Sequence, residues 1–258
     1  MNEFERYAQD IVYPPINLDA IKDDIDQLSP YWASGYEPDE LSVLEAVRSA
    51  MIAREEFFYT QVCEAIISCI ANIHPSSDKP LVLLFDIDET IGRNIKKPSD
   101  SGQPESALVL RPALKYLLSW INEVKLQYPL RVGLLSSRNK LGMDQSFSDP
   151  DILLPIADSI DKSLVISTEQ QLGSTLSNTA ASNLLSPSSS KNEESDSLMN
   201  LDYSDYGDKL NTLNEIASQT AHSSIIVVDD LPYPAALDKA RGYYGVPLES
   251  NGSFYLKS

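Results

Sequence analysis

Two carboxylates and a hydroxyl stand within five residues of one another at the end of an apolar run. Asp86 and Asp88 are separated by one residue, and Thr90 follows after one more. A carboxylate can attack phosphorus, a second carboxylate can carry protons to and from the reacting oxygens, and a hydroxyl can hold a phosphate oxygen. The residue types and their spacing therefore predict phosphoryl-transfer chemistry.

The residues that precede this group predict a strand that is buried on both faces. Residues 81–85 are all apolar and follow Pro80, a pattern typical of the inner strands of parallel sheets. Other polar residues also stand after an apolar run or near the start of a predicted helix: Ser136, Lys209, Asp229 and Asp230. Because parallel strands end at one edge of their sheet, we expect all of these side chains to meet there.

Predicted strands and helices alternate along the chain after residue 80. Apolar runs predict strands at residues 81–85, 131–135, 164–166, 225–228 and 242–248. Helices are predicted from Pro112 onward, at 152–160 and at 208–219, and the polar residues 93–108 predict a loop, with or without a small hairpin. This alternation predicts an α/β fold, with a Rossmann-like, mostly parallel sheet flanked by helices.

A helical extension is predicted before the α/β domain. Residues 44–73 repeat apolar positions at intervals of three, four or seven, and the pattern ends before Pro75. This apolar stripe has two interpretations: it packs on the α/β domain, or it forms a cap over the site or a surface for a protein partner. We place the extension at 1–78 and the α/β domain at 79–258, and we expect the Ser- and Asn-rich residues 174–205 to form a flexible insertion.

Charge and composition argue against several classes of partner. The chain of 258 residues has a formal net charge of −18, so sequence-blind binding to nucleic acid or to anionic lipid is not expected. An acidic chain that handles phosphate needs a bound cation.

No run reaches the ~20 apolar residues of a membrane span, and the first residues lack a signal-peptide pattern, which favours a cytoplasmic protein. Cys63 and Cys69 are separated by about 9 Å of helical rise, so we expect both to be reduced.

The order of the polar groups resembles that of the haloacid dehalogenase superfamily of phosphohydrolases over residues 81–248. Four motifs match it in order: Asp86-Ile87-Asp88-Glu89-Thr90, Leu134-Leu135-Ser136-Ser137-Arg138, Lys209 and Val227-Val228-Asp229-Asp230. A helix start common in the superfamily is also similar to Arg111-Pro112-Ala113-Leu114, with Ala113 where Gly is usual. The resemblance implies a Rossmann-like fold and a phosphatase that depends on Mg²⁺.

The resemblance also implies a role for each residue of the predicted site. Asp86 would be the nucleophile that forms an aspartyl phosphate, and Asp88 would be the general acid and base. Mg²⁺ would be held by Asp86 and by the backbone carbonyl of Asp88. Of the remaining two acids, Asp230 would be the direct ligand and Asp229 would act through a water molecule. The residues that would bind substrate phosphate are Thr90, Ser136 and Lys209, the last of which would also neutralise Asp86.

Several alternatives stay open at the level of sequence. Lys162 competes with Lys209 for the third motif, and the role of Arg138 is left open. A receiver-like phosphoacceptor module also collects acids, a hydroxyl and a lysine, although in a different order, and a catalytically idle scaffold would need none of them. The phosphorylated substrate is a small metabolite or the phosphate of a protein or a nucleic-acid end, and the sequence does not decide between them.

Overall fold

The computed structural model describes residues 11–32, 41–97, 105–137, 156–168, 207–219, 224–231, 233–237, 239 and 242–248. Its helices are α1 (Leu18–Trp32), α2 (Leu41–Ile73), α3 (Leu114–Lys125) and α4 (Gly207–Gln219). Its strands are β1 (Leu81–Phe85), β2 (Gly92–Lys97), β3 (Glu105–Leu110), β4 (Leu130–Ser136), β5 (Val165–Ser167), β6 (Ser224–Asp229) and β7 (Tyr243–Pro247). Short 3₁₀ helices cover Lys162–Leu164 and Tyr233–Ala236. The predicted insertion at 174–205 lies outside the described residues.

Five of the described strands form one parallel sheet in the order β5-β4-β1-β6-β7. β1 lies at its centre, with Phe85 opposite Leu134 of β4 and Val228 of β6. The inner strands are rich in Val, Ile and Leu because both of their faces are covered. Counted along the chain, the strand order is 3-2-1-4-5, as in Rossmann-like folds. The predicted α/β class with a parallel sheet is confirmed.

The side chains of β1 alternate between two hydrophobic cores. Leu83 and Phe85 pack in one core with α2 and α3, whereas Val82 and Leu84 pack on the opposite face with α4 and the Tyr233–Ala236 turn. This alternation follows from the two-residue period of a strand. Every residue of β1 is buried. The sheet is therefore the middle of three layers, and polar residues appear on its central strand only where the strand ends.

The apolar stripe of α2 lies on the parallel sheet from Phe58 onward, whereas Val47 and Met51 near its start pack with α1. Phe58, Val62 and Ile66 are fully buried, and the ring centroids of Phe58 and Phe85 are 6.3 Å apart. Of the two interpretations offered by the sequence, packing on the α/β domain is confirmed. The division at residue 78 stays a prediction, although α2 and β1 share a core.

A buried ion pair joins α2 to the start of α3. Glu55 Oε1 lies 3.7 Å from Arg111 Nε, and Glu55 Oε2 accepts a hydrogen bond of 2.8 Å from the backbone N–H of Ala113. The guanidinium of Arg111 also covers the ring of Phe58, 4.2 Å from its centroid. Burial raises the pKa of Glu55, while Arg111 and the N–H of Ala113 act in the opposite direction. A carboxylate on α2 thus caps a helix of the α/β domain.

The other predicted strands and the optional hairpin are confirmed as well. The strands β4, β5, β6 and β7 begin and end within one residue of the predicted bounds. β2 and β3 pair antiparallel over the stretch for which a loop or a small hairpin is predicted. Because β2 begins shortly after β1 ends, the hairpin starts at the same edge of the sheet as the Asp86 motif.

The helix predicted at 152–160 is wrong over its described part. Ile156 is in 3₁₀ conformation and residues 157–160 form a turn instead of an α-helix, with hydrogen bonds from Ser159 N to Ile156 O and from Ile160 N to Ala157 O. Ile156 and Ile160 have helical spacing, but the turn buries both of them without a helix. The next N–H, that of Asp161, donates to a carbonyl of β4 at 2.8 Å. The chain is therefore directed towards β5 without an α-helix over residues 156–160.

Strand β7 lies very close to the turn that follows β6. A Cβ atom on Gly245 would lie 1.6 Å from the carbonyl oxygen of Pro234 and 2.2 Å from its carbonyl carbon. Both distances are far below van der Waals contact, so only glycine fits here. Pro234 follows Tyr233, which is buried. The position of this turn therefore depends on the missing side chain at residue 245.

The cysteines agree with the sequence analysis. Cys63 and Cys69 are both free and buried, and burial raises the pKa of each thiol above its ordinary value. Both therefore behave as small apolar residues of α2. Within the described ranges, no helix combines the length and the apolar character needed to cross a membrane.

Candidate active site

Three acids lie where the two central strands end. Asp86 follows β1 directly, and its N–H donates to the carbonyl of Val228 on β6 at 2.9 Å. Asp229 is the last residue of β6, and Asp230 comes next. The chain leaves β1 towards β4 and leaves β6 towards β7, so the strand order reverses between these neighbours. In open α/β sheets, ligands bind in the crevice at this point, beyond the carboxyl ends of the strands.

The carboxylates of Asp86, Asp229 and Asp230, here called the acid cluster, approach one another closely. One oxygen from each lies within 4.8 Å of the others. Asp86 is 5% exposed and Asp229 only 1%, so water screens little of the repulsion between them. Such an arrangement needs positive charge nearby.

Lys209 supplies one positive charge to the acid cluster. Its Nζ donates hydrogen bonds of 2.8 Å to Asp86 Oδ1 and of 2.8 Å to Asp229 Oδ2. Burial opposes the charged form of the lysine, but the carboxylates of Asp86 and Asp229 raise the pKa of Lys209 above its usual range. Lys162, the competing lysine, is exposed and lies in the 3₁₀ helix before β5. Of the two, only Lys209 reaches the acids.

Two members of the acid cluster are hard to ionise in the protein alone. Burial raises the pKa of Asp86, with Lys209 opposing the shift and Asp229 adding to it. Burial also raises the pKa of Asp230, and the charge of Asp229 acts in the same direction. One ammonium therefore does not neutralise the cluster, and a bound cation would favour the ionised form of both acids.

Asp229 accepts hydrogen bonds at both of its oxygens. Oδ1 accepts from the backbone N–H of Leu231 at 3.0 Å, and Oδ2 accepts from Lys209 and from Tyr233 Oη, the latter at 3.0 Å. Burial raises the pKa of Tyr233 well above its ordinary value, and the charge of Asp229 adds to the shift. The phenol therefore stays protonated and donates a hydrogen bond to the carboxylate.

Thr90 holds the backbone of Asp230. Its Oγ1 accepts a hydrogen bond from the Asp230 N–H at 2.9 Å and lies 3.5 Å from Asp230 Oδ1. The threonine is completely buried. Its hydroxyl thus connects the turn after β1 to the turn after β6, and its predicted contact with phosphate stays a prediction.

Asp88 lies on a tight turn between β1 and β2. The N–H groups of Ile91 and Gly92 both donate to the carbonyl of Ile87, at 3.1 and 3.0 Å, and the N–H of Glu89 donates back to Gly92. Asp88 is half-buried. Among the described residues, its carboxylate is not one of the three that could share a cation. The contribution of its backbone carbonyl to a metal site stays a prediction.

Ser136 lies at the same edge of the sheet, on the neighbouring strand. It is the last residue of β4 and is completely buried. The register pairs Leu134 with Phe85, which places Ser136 slightly beyond the level of Asp86. Its predicted role in binding phosphate stays a prediction, and Arg138 lies outside the described residues.

A cleft of about 860 Å³ lies elsewhere, between α1, α3 and the β2–β3 hairpin. Its wall includes Lys115 and Asp24, which form an ion pair of 2.8 Å with each other. The remaining wall is largely apolar, with Leu28, Val109 and Leu118. The cleft offers space, but its charges are already paired, whereas the acid cluster concentrates reactive groups.

The acid cluster fits a hard divalent cation. Its three carboxylates face one ammonium, so two negative charges remain when all of them are ionised. Oxygen ligands of this kind suit Mg²⁺, which keeps several of its waters and takes one or two carboxylates from a protein. The donor set therefore agrees with the cofactor that the motifs imply.

Comparisons of this chain with protein-family models, curated proteins and solved structures give no match. The case for function therefore rests on the residues of the acid cluster and on their neighbours. One of these neighbours, Tyr233, was missed by the sequence analysis. Two prolines flank it in the sequence and indicate a turn, but they do not indicate where the hydroxyl points.

Proposed function

We propose that this chain is a Mg²⁺-dependent phosphomonoester hydrolase that acts through an aspartyl phosphate on Asp86. The observation that carries the proposal is the position of Lys209, whose ammonium joins Asp86 and Asp229 inside the acid cluster. An ammonium at this place can bind a phosphate oxygen while it orients the attacking carboxylate. The position of the cluster, where the strand order reverses, is that of ligand sites in open α/β sheets.

Asp86 would attack phosphorus with the carboxylate oxygen that does not face Lys209. The bond from this oxygen to phosphorus forms while the bond from phosphorus to the leaving oxygen breaks. The nucleophile must be ionised, and burial works against that. Lys209 and a bound cation would together keep Asp86 in the charged form.

Asp86 and Asp230 would hold Mg²⁺, together with the backbone carbonyl of Asp88, and Asp229 would act through water. This division follows from the hydrogen bonds, because both oxygens of Asp229 already accept from donors of the protein. When bound, Mg²⁺ supplies positive charge that neutralises the transferring phosphoryl group.

Asp88 would give a proton to the leaving oxygen and later take one from the water that attacks the aspartyl phosphate. It lies two residues beyond Asp86, on the turn between β1 and β2, and is half-buried, so solvent can exchange protons with it. Ser136 and Lys209 would hold the phosphate oxygens during both steps. The roles of the four acids thus differ because their surroundings differ.

The order of the strands favours a hydrolase over a receiver-like module. The sheet has the chain order 3-2-1-4-5, whereas receiver modules have the flavodoxin-like order 2-1-3-4-5. The first strand is followed here by both the nucleophile and the second acid. This arrangement supports repeated turnover rather than a stored phosphoryl group.

The variant Asp86→Asn tests the proposal. It removes the attacking oxygen but keeps the shape of the side chain, so turnover of phosphometabolites and phosphopeptides should fall by about 10³-fold or more while the protein stays folded. Chelation with EDTA should stop turnover by the unmodified chain, and added Mg²⁺ should restore it. In addition, borohydride added during turnover should convert Asp86 to homoserine, which peptide mass spectrometry detects.

Asp158→Asn is the matched control, because Asp158 is exposed on the turn before β5. It undergoes the same chemical change and should retain full turnover. Undiminished activity in Asp86→Asn, or homoserine at another aspartate, would show that a different group attacks phosphorus.

A further inference from the structure

The hydroxyl of Tyr233 points at the acid cluster from the α4 side of the sheet. Tyr233 begins the 3₁₀ turn after β6 and is 1% exposed. Its ring packs in the core on the α4 side of the sheet, beside Leu210 and Leu213. Its Oη lies 3.0 Å from Asp229 Oδ2. Packing thus fixes the ring, and the ring fixes the position of the donor.

The donors around Asp229 and Asp230 differ sharply. Asp229 accepts from Lys209, from Tyr233 and from the N–H of Leu231, each at 3.0 Å or less. Among the residues that the structure describes, the side chain of Asp230 has no donor as close as those of Asp229: its contact with the hydroxyl of Thr90 is 3.5 Å long. Asp229 is therefore turned towards protein donors, and Asp230 is the acid whose oxygens remain for a cation.

We propose that Tyr233 is a positioning residue that keeps Asp229 from ligating the cation directly and thereby favours Mg²⁺ over Ca²⁺. This inference rests on the proposed function. Mg²⁺ accepts about six ligands at about 2.0–2.1 Å and keeps several waters, whereas Ca²⁺ takes about six to eight oxygens at about 2.3–2.6 Å in flexible geometry. A third mobile carboxylate at the site would therefore help Ca²⁺ more than Mg²⁺.

The variant Tyr233→Phe tests this inference, because it removes the hydroxyl and keeps the ring. Asp229 Oδ2 then loses one of its two donors and can turn towards the cation. We expect the ratio of Ca²⁺ affinity to Mg²⁺ affinity to rise by about tenfold, the size of effect typical of residues that orient metal ligands. Both affinities are measured without substrate, by displacement of Mn²⁺ followed by electron paramagnetic resonance.

Tyr59→Phe is the control. Tyr59 is equally buried, and its hydroxyl donates to the carbonyl of Pro14 at 2.9 Å, on the α2 side of the sheet. This variant should keep the affinity ratio of the unmodified chain while it loses a similar hydrogen bond. A ratio that rises equally in both variants would mean that general loosening, and not Asp229, causes the change.

Two asparagine variants give a second test that does not depend on the folding of Tyr233→Phe. If Asp229 is held away from the cation, Asp230→Asn should weaken Mg²⁺ binding about tenfold more than Asp229→Asn does. An unchanged affinity ratio in folded Tyr233→Phe, or equal losses in the two asparagine variants, would overturn the inference.

The outcomes separate this inference from the proposed function. An unmodified chain that binds Mg²⁺ and hydrolyses phosphomonoesters, but whose Tyr233→Phe variant keeps the same ratio, refutes only the positioning role. A chain that shows the shift in ratio but no turnover refutes only the hydrolase. An unmodified chain that binds no divalent cation refutes both.

Discussion

Glu89 carries the backbone strain of the turn between β1 and β2. Its φ angle is 60°, in the left-handed region that costs a residue with a side chain about 1–2 kcal/mol. The turn needs this angle because the N–H groups of Ile91 and Gly92 converge on the carbonyl of Ile87. A long ion pair of 3.6 Å with Arg93 and the nearby charge of Arg111 both favour an ionised glutamate here. Strain this close to Asp86 supports the proposal that the shape of the turn serves the site.

Glycine at position 89 should give a more stable chain than alanine. Both variants lose the carboxylate and its ion pair with Arg93, but only glycine adopts the left-handed angle without strain. We expect Glu89→Gly to exceed Glu89→Ala by about 1 kcal/mol in free energy of unfolding, measured by urea denaturation. A less stable glycine variant would show that the turn relaxes to another angle.

Single residues of the site differ in how far the sequence predicts them. The acids are predictable because each follows an apolar run that ends at the sheet edge. Lys209 can be identified only from the fold, because the sequence offers Lys162 as an equally suitable lysine. Lys162 precedes its strand, whereas Lys209 contacts Asp86. Tyr233 is not predictable, because the direction of its hydroxyl depends on the close packing of its turn against β7.

At the scale of elements, α3 depends on α2 for its first turn. α3 begins at Leu114, and the residue before it makes no side-chain cap. Glu55 of α2 takes that place by accepting from the N–H of Ala113, and it also faces the buried guanidinium of Arg111. One carboxylate therefore satisfies a helix end and a buried charge that lie far from it in sequence.

Removal of this carboxylate should be strongly destabilising. Glu55→Ala leaves the charge of Arg111 buried without its counter-ion, so we expect the free energy of unfolding to fall by about 3–5 kcal/mol in denaturant titrations. Glu56→Ala is the matched control, because Glu56 is the exposed neighbour on the same helix and should change stability by less than about 0.5 kcal/mol. Equal effects would mean that solvent or another acid compensates for Arg111.

Elements are predictable where one local pattern decides them. The inner strands β4, β1 and β6 consist mostly of apolar residues and are almost entirely buried, which is the pattern typical of inner strands of a parallel sheet. The prediction of a helix fails over residues 156–160 because the spacing of Ile156 and Ile160 suits a helix as well as a turn. The hydrogen bond from the N–H of Asp161 to the carbonyl of Val132 on β4 favours the turn, and this contact joins residues far apart in the sequence.

At the scale of the whole molecule, α2 completes the core on one face of the sheet. Its residues Phe58, Val62 and Ile66 pack with Leu83 and Phe85 of the strand that precedes Asp86. An apolar stripe predicts that α2 packs against something, but it does not name the partner. Only the assembled sheet shows that the helix covers the central strand.

A chain that starts at residue 79 should therefore fail to fold cooperatively. It would expose the apolar face of β1, so we expect strong binding of a hydrophobic dye and a loss of near-ultraviolet circular dichroism, in contrast to the full chain. A single sharp unfolding transition for residues 79–258, with full turnover, would instead establish the division at residue 78.

Gly245 lies on an edge strand, and because it has no side chain, the turn that positions Tyr233 against Asp229 can pack directly on it. Under the proposed function, a mutational scan scored only by turnover would therefore group this glycine with the residues of the acid cluster. A map of substrate contacts would omit it altogether. If Tyr233 sets cation selectivity as proposed, changes to this outer strand would alter that selectivity without touching the crevice.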